Sequence, residues 1–113
     1  MHELSIVMSI VEMAAEETRK AGASEVESIE LEIGHLSGVE MSSFDFAWQQ
    51  AVPGTLLQAA ERTVHRVEGK GKCLECGTVF KMENHYDACP LCHNHFVQIS
   101  SGKELRVKSL TVH

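Results

Sequence analysis

The sequence predicts an α+β fold: a small three-stranded sheet with two helices, and a zinc-ribbon-like module inserted into it. Three observations carry this. Apolar residues recur at helical spacing over residues 4–20 and again after Ser42. Residues 26–34 and 104–112 alternate apolar with polar, the period of a half-buried strand. Four cysteines stand as two Cys-x-x-Cys pairs, Cys73/Cys76 and Cys89/Cys92, with 12 residues between them.

In the first helix, Leu4, Val7, Val11, Ala14 and Thr18 fall on one face and Ser5, Ser9, Glu12, Glu16 and Arg19 on another. Ile6, Ile10 and Met13 add a second apolar stripe. A helix apolar over more than half its circumference is either deeply packed or shared with a partner, which leaves room for a homodimer. Ala21-Gly22 ends it. In the first strand, Ile29, Leu31 and Ile33 alternate with Glu30, Glu32 and Gly34, so one face is buried and the other acidic. A loop follows from His35 to Met41. Ser42 then starts a second helix with Asp45 as its capping acid; Phe44, Ala47, Trp48 and Ala51 line its apolar face and Pro53-Gly54 stops it. A strand is expected over 60–68, and Gly69-Lys70-Gly71-Lys72 reads as a short flexible hinge. The final strand, 104–112, slips its alternation between Val107 and Leu110, which suggests a bulge near Lys108-Ser109. The expected organisation is a domain over 1–69, completed by a C-terminal strand within 99–113, with a second domain over 70–98 inserted between them.

Composition narrows the function. Ten Lys and Arg stand against sixteen Asp and Glu, a net charge of −6. Four thiolates around one Zn²⁺ would carry this to about −8. Nucleic-acid binding leans on a basic surface and is disfavoured. No apolar run approaches the roughly 20 residues of a membrane helix, and Met1-His2-Glu3 is not the basic start of a secretory signal, so a cytoplasmic protein without a membrane role is expected.

In a cytosolic chain, paired cysteines read as metal ligands and not as disulfides. Each Cys-x-x-Cys turns back on itself to aim both sulfurs at one ion, and four thiolates suit a tetrahedral, closed Zn²⁺ site. Cys73, Cys76, Cys89 and Cys92 are the expected ligands. Residues 73–98 hold little other apolar material than Val79, Phe80, Tyr86 and Phe96, so the segment should depend on its metal. His85, His93 and His95 lie close in sequence and offer a replacement ligand under some conditions.

The amino terminus is the second candidate. A free α-amine at Met1, a backbone amide nitrogen and the His2 imidazole can chelate one ion in fused rings, a planar nitrogen field that suits Ni²⁺ or Cu²⁺. The carboxylate of Glu3 lies alongside. Chemistry alone leaves the bland reading open, with His2 solvated ahead of the helix and Glu3 favouring its N-terminus by charge.

Enzymatic motifs are missing. There is no phosphate-binding loop, since Gly69-Lys70-Gly71-Lys72 runs into a cysteine knuckle, and no Gly-x-Ser-x-Gly elbow. Four cysteines leave a zinc ion no open catalytic position. The chain is not expected to be an enzyme.

Three motifs now stand together: Met1-His2-Glu3-Leu4 opening a helix, Leu31-Glu32-Ile33-Gly34-His35-Leu36-Ser37-Gly38-Val39-Glu40 closing the first strand, and Cys73-x-x-Cys76 … Cys89-Pro90-x-Cys92 before a terminal strand. The combination closely resembles the HypA family of nickel-incorporation accessory proteins of [NiFe]-hydrogenase, over essentially the whole chain. The resemblance implies a nickel domain bearing the amino terminus and a four-cysteine zinc domain. It implies Ni(II) held by His2 and backbone nitrogens of the first three residues, including Met1, with Glu3 as a further ligand or partner determinant. It implies Glu40 as an oxygen ligand or a residue orienting His2. The implied role is delivery of Ni(II) to the hydrogenase large subunit beside a HypB-type GTPase, with Zn(II) structural. The rival is a zinc-ribbon module that docks to protein or nucleic acid and has no nickel function.

Overall fold

The computed structural model describes residues 2–113. Helix α1 spans His2–Lys20, strand β1 Val26–Gly34 and helix α2 Met41–Ala51. Strands β2 (Glu61–Val67), β3 (Lys70–Cys73), β4 (Val79–Lys81), β5 (Val97–Ser101) and β6 (Leu105–Val112) follow. They form two three-stranded sheets, ordered β2-β1-β6 and β4-β3-β5. The α+β class, the two helices and one sheet built from strands β1, β2 and β6 are those expected from the sequence; the order, with β1 in the centre, comes from the structure.

The chain divides into two compact units. One comprises residues up to 31, 39–64 and 107–113; the other comprises 32–38 and 65–106. In the first, α1 packs against α2. Val7, Ala14 and Thr18 are its buried positions, on the face the periodicity marks, and the Thr18 hydroxyl is satisfied by the Ala14 carbonyl at 2.7 Å. Of the second apolar stripe, Ile6 and Ile10 are half-buried and Met13 is exposed. The helix closes with a Schellman pair, the Gly22 N–H donating to Arg19 and the Ala23 N–H to Thr18. Ile29, Leu31, Phe44, Ala47 and Leu57 complete this core, all at most 1% exposed. Burial of each large one contributes about 1.5–3 kcal/mol. The slip expected in the last strand shows in its exposure: Val107, Leu110 and Val112 are half-buried, while Lys108 and Ser109 are both exposed.

Two local expectations are corrected. Helix α2 is capped by Glu40, not by Ser42: Glu40 Oε1 accepts the Ser42 N–H, and Oε2 accepts the Ser43 N–H and both serine hydroxyls. Asp45 does not serve as a capping acid; it pairs with Arg62 at 2.8 Å, and that guanidinium lies over the Phe44 and Trp48 rings. A side chain one carbon longer than the preferred cap reaches the same two amides and gains both hydroxyls.

The expected hinge at 69–72 is instead part of the second unit's packing. Lys70–Cys73 is the central strand β3, antiparallel to β4 and β5, with Gly71 opposite Phe80 and Ile99. A Cβ on Gly71 would lie 2.3 Å from Met82 Sδ, and one on Gly69 would lie 2.4 Å from the Met82 carbonyl oxygen. These glycines are required by close approach, not by flexibility. Within residues 73–98 only Cys73, Met82 and Cys89 are buried, while Val79, Tyr86 and Phe96 are exposed. Two of the three buried side chains are cysteines, so this segment has almost no apolar core of its own.

Candidate metal centre

The two Cys-x-x-Cys segments fold as matching knuckles. In the first, the Cys73 N–H donates to the Thr78 carbonyl and the Gly77 N–H to the Cys73 carbonyl, each at 2.9 Å. In the second, the Cys89 N–H donates to the Asn94 carbonyl and the His93 N–H to the Cys89 carbonyl, again at 2.9 Å. The residue after the second cysteine is left-handed in both: Gly77 at φ +77° and His93 at φ +64°, the latter the one non-glycine with positive φ among the described residues. His93 thus holds a glycine's place in the turn. The ring of His85 is engaged elsewhere, its Nε2 lying 2.8 Å from the Leu36 carbonyl oxygen.

The knuckles bring the four sulfurs together. Cys73 and Cys92 stand 3.5 Å apart, Cys76 and Cys89 3.6 Å, and all four sulfurs lie within 4.8 Å of one another. Sulfurs bound at about 2.3 Å to a tetrahedral Zn²⁺ lie roughly 3.8 Å apart. The donor set and spacing therefore fit Zn²⁺, with Cys73 and Cys89 buried and Cys76 and Cys92 exposed. The hydroxyl and then the N–H of Thr78 pull the Cys76 thiol down to about 6. The Asn94 N–H acts on Cys92 in the same sense, but the shared hydrogen bond with Cys73 and burial outweigh it, and the thiol is pushed up to about 12. Four sulfurs in one site resist joint ionisation, and a divalent cation at their centre removes that conflict.

The second candidate lies at the start of α1. His2 is the first described residue of the helix and its side chain is 65% exposed. The Glu3 carboxylate lies 3.6 Å from His2 Nδ1 and accepts the Glu40 N–H at 3.2 Å. That N–H, and then Glu3's own, hold the Glu3 carboxyl below the usual carboxylate range. Met1 lies outside the described residues. Glu40 reaches this place through its backbone, because its carboxylate is committed to Ser42 and Ser43, whose hydroxyls lie 2.6 and 2.8 Å from its Oε2. Those serines hold its carboxyl down from 4.5 to about 2. The sequence reading missed both the cap and the Glu3–Glu40 link.

A depressed carboxyl stabilises the fold above its unfolded pKa and loses that contribution as pH falls through the folded value. Glu40→Gln should therefore melt below wild type at neutral pH, and the difference should close between about pH 4.5 and pH 2. Melting curves of both proteins across that range check this; a gap that persists at pH 2 would show that the charge is not what caps α2.

The family model for "Hydrogenase/urease nickel incorporation, metallochaperone, hypA" matches residues 1–112. The chain belongs to the HypA family. Among curated HypA proteins, the hydrogenase maturation factor of Parabacteroides distasonis is 49% identical over 99% of this chain and 97% of its own length. That of Chlorobaculum parvum is 43% identical over 99% of each. The solution structure of the Ni metallochaperone HypA from Helicobacter pylori is similar with a TM-score of 0.68 at 28% identity, covering 97% of this chain and 96% of that one. A second HypA solution structure gives 0.71 at 28% identity, covering 100% and 97%. HypA is a family of metallochaperones for nickel incorporation, so cargo binding and not catalysis is the chemistry to seek in these residues. No described helix is long and apolar enough to cross a membrane.

Proposed function

We propose that this chain binds Ni(II) at its amino terminus and delivers it, in the cytoplasm, to the large subunit of a [NiFe]-hydrogenase beside a HypB-type GTPase. The ligands are the His2 imidazole and the backbone nitrogens of residues 1 to 3, with Glu3 alongside. The curated relatives are named as hydrogenase maturation factors, which favours hydrogenase over urease as the client.

The observation that carries this reading is the exposed His2 ring in the first described turn of α1, 3.6 Å from the Glu3 carboxylate. The first amides of a helix have no intrahelical acceptor. His2 and Glu3 stand in the first described turn of α1, where such amides belong. A planar metal can therefore take them without breaking a helical hydrogen bond. The imidazole stands beside them in solvent, where a partner can displace the ligands one at a time.

Cys73, Cys76, Cys89 and Cys92 hold Zn(II) as a structural ion in a module of residues 70–98, which a nickel-binding domain of residues 1–69 carries as an insertion before a final strand within 99–113. Bound, the zinc supplies cross-linking of two knuckles that have little else to pack on.

The test is a nickel titration by calorimetry of the zinc-loaded chain with a native, untagged amino terminus. About one Ni²⁺ per chain supports the reading. No nickel binding leaves a zinc-stapled interaction module.

A further inference from the structure

The nickel end of the molecule is organised by residues far from it in sequence. A histidine can share a metal with its own backbone nitrogen only through Nδ1, since Nε2 lies on the far side of the ring. In this structure His2 Nδ1 stands 3.6 Å from Glu3 Oε2. The imidazole nitrogen assigned to nickel above therefore lies beside the Glu3 carboxylate. The Glu3 side chain is only 13% exposed, against 65% for His2. Its outside support is the Glu40 N–H, 37 residues along the chain.

Glu40 presents that N–H because its side chain is locked. Ser42 N–H and Ser43 N–H donate to its carboxylate at 3.2 and 2.9 Å, and both serine hydroxyls donate to Oε2. Its backbone is extended, at φ −89° and ψ 115°. We infer that Ser42 and Ser43 are positioning residues for the nickel site: through Glu40 they hold the Glu3 carboxylate beside His2 Nδ1, and so restrict the turn of the ring. The inference rests on the nickel reading above. Carboxylates that orient a metal-binding histidine commonly change affinity 10- to 100-fold when lost, and an exposed ring belongs at the lower end, about tenfold.

The experiment uses the untagged, zinc-loaded full chain in three forms: wild type, Ser42→Ala/Ser43→Ala and Ser42→Thr/Ser43→Thr. Ser43→Ala alone is the milder variant should the double alanine form lose α2. Before nickel is added, three-bond NMR couplings of His2 report whether its ring holds one rotamer. Calorimetry then gives the nickel affinity. The expected result is a single His2 rotamer in wild type and the threonine form, an averaged one in the alanine form, and nickel binding about tenfold weaker there alone. Unchanged couplings, unchanged affinity, or a threonine form that behaves like the alanine form would each overturn the inference. A wild-type chain that binds no nickel would overturn the nickel reading itself, and the couplings tell that failure from this one.

Discussion

Alanine in place of His2 is expected to abolish tight nickel binding and to leave fold and zinc content unchanged. The side chain is largely in solvent and contributes nothing to the core of α1, whose buried positions are Val7, Ala14 and Thr18. Its removal therefore costs little stability, since surface changes fall within about ±0.5 kcal/mol. It does remove the imidazole from the proposed ligand set. Loss of an orienting partner alone commonly weakens a metal 10- to 100-fold, so loss of the ligand itself should weaken nickel by at least about 100-fold. The titration described above, repeated on His2→Ala, reads this directly. A tag ahead of Met1 would remove the α-amine and should weaken binding as well. Binding by the alanine form with wild-type affinity would place nickel elsewhere.

The second large effect is expected at the zinc module. Cys73→Ala or Cys92→Ala should unfold residues 70–98 locally while the first 60 residues stay folded. Structural zinc sites contribute about 10–16 kcal/mol to the folding of small domains, and this module has only Met82 as a buried apolar side chain beside its two buried cysteines. The helices draw on a separate core of Val7, Ile29, Leu31, Phe44 and Leu57. Hydrogen exchange separates the two cases. Loss of protection confined to β3, β4 and β5 supports a module that depends on its ion. Equal loss in α1 and α2 would make the protein one cooperative unit and refute the two-domain organisation.

Much of this was legible from residue order because periodicity and spacing are local signals. The α1 face of Val7, Ala14 and Thr18 follows from the helical repeat, and the β1 burial of Ile29, Leu31 and Ile33 from alternation. The convergence of the four sulfurs follows from the reach of two short knuckles. What could not be read is set by contacts across the chain. Gly69 and Gly71 look like a flexible joint until Met82 is brought against them. Ser42 outranks Glu40 as a cap on intrinsic preference, and only the hydroxyls of both serines reverse that order. Asp45 finds Arg62, 17 residues on. The Glu3–Glu40 hydrogen bond spans 37 residues and has no periodic signature, so it becomes visible only once the two helices pack.

The likeness of the two knuckles has a kinetic consequence. Each is closed by bonds between residues four and five apart, from Cys73 to Gly77 and Thr78 and from Cys89 to His93 and Asn94. Such contacts form without waiting for the rest of the chain, and a spacer of this length closes in roughly 10–100 ns. A zinc ion arriving at the unfolded segment thus meets a ready-made dithiol first and the second dithiol almost at once. Chain diffusion is too fast to limit loading. Each thiol must surrender its proton to bind, so metal capture by this module should strengthen as the solution becomes more alkaline.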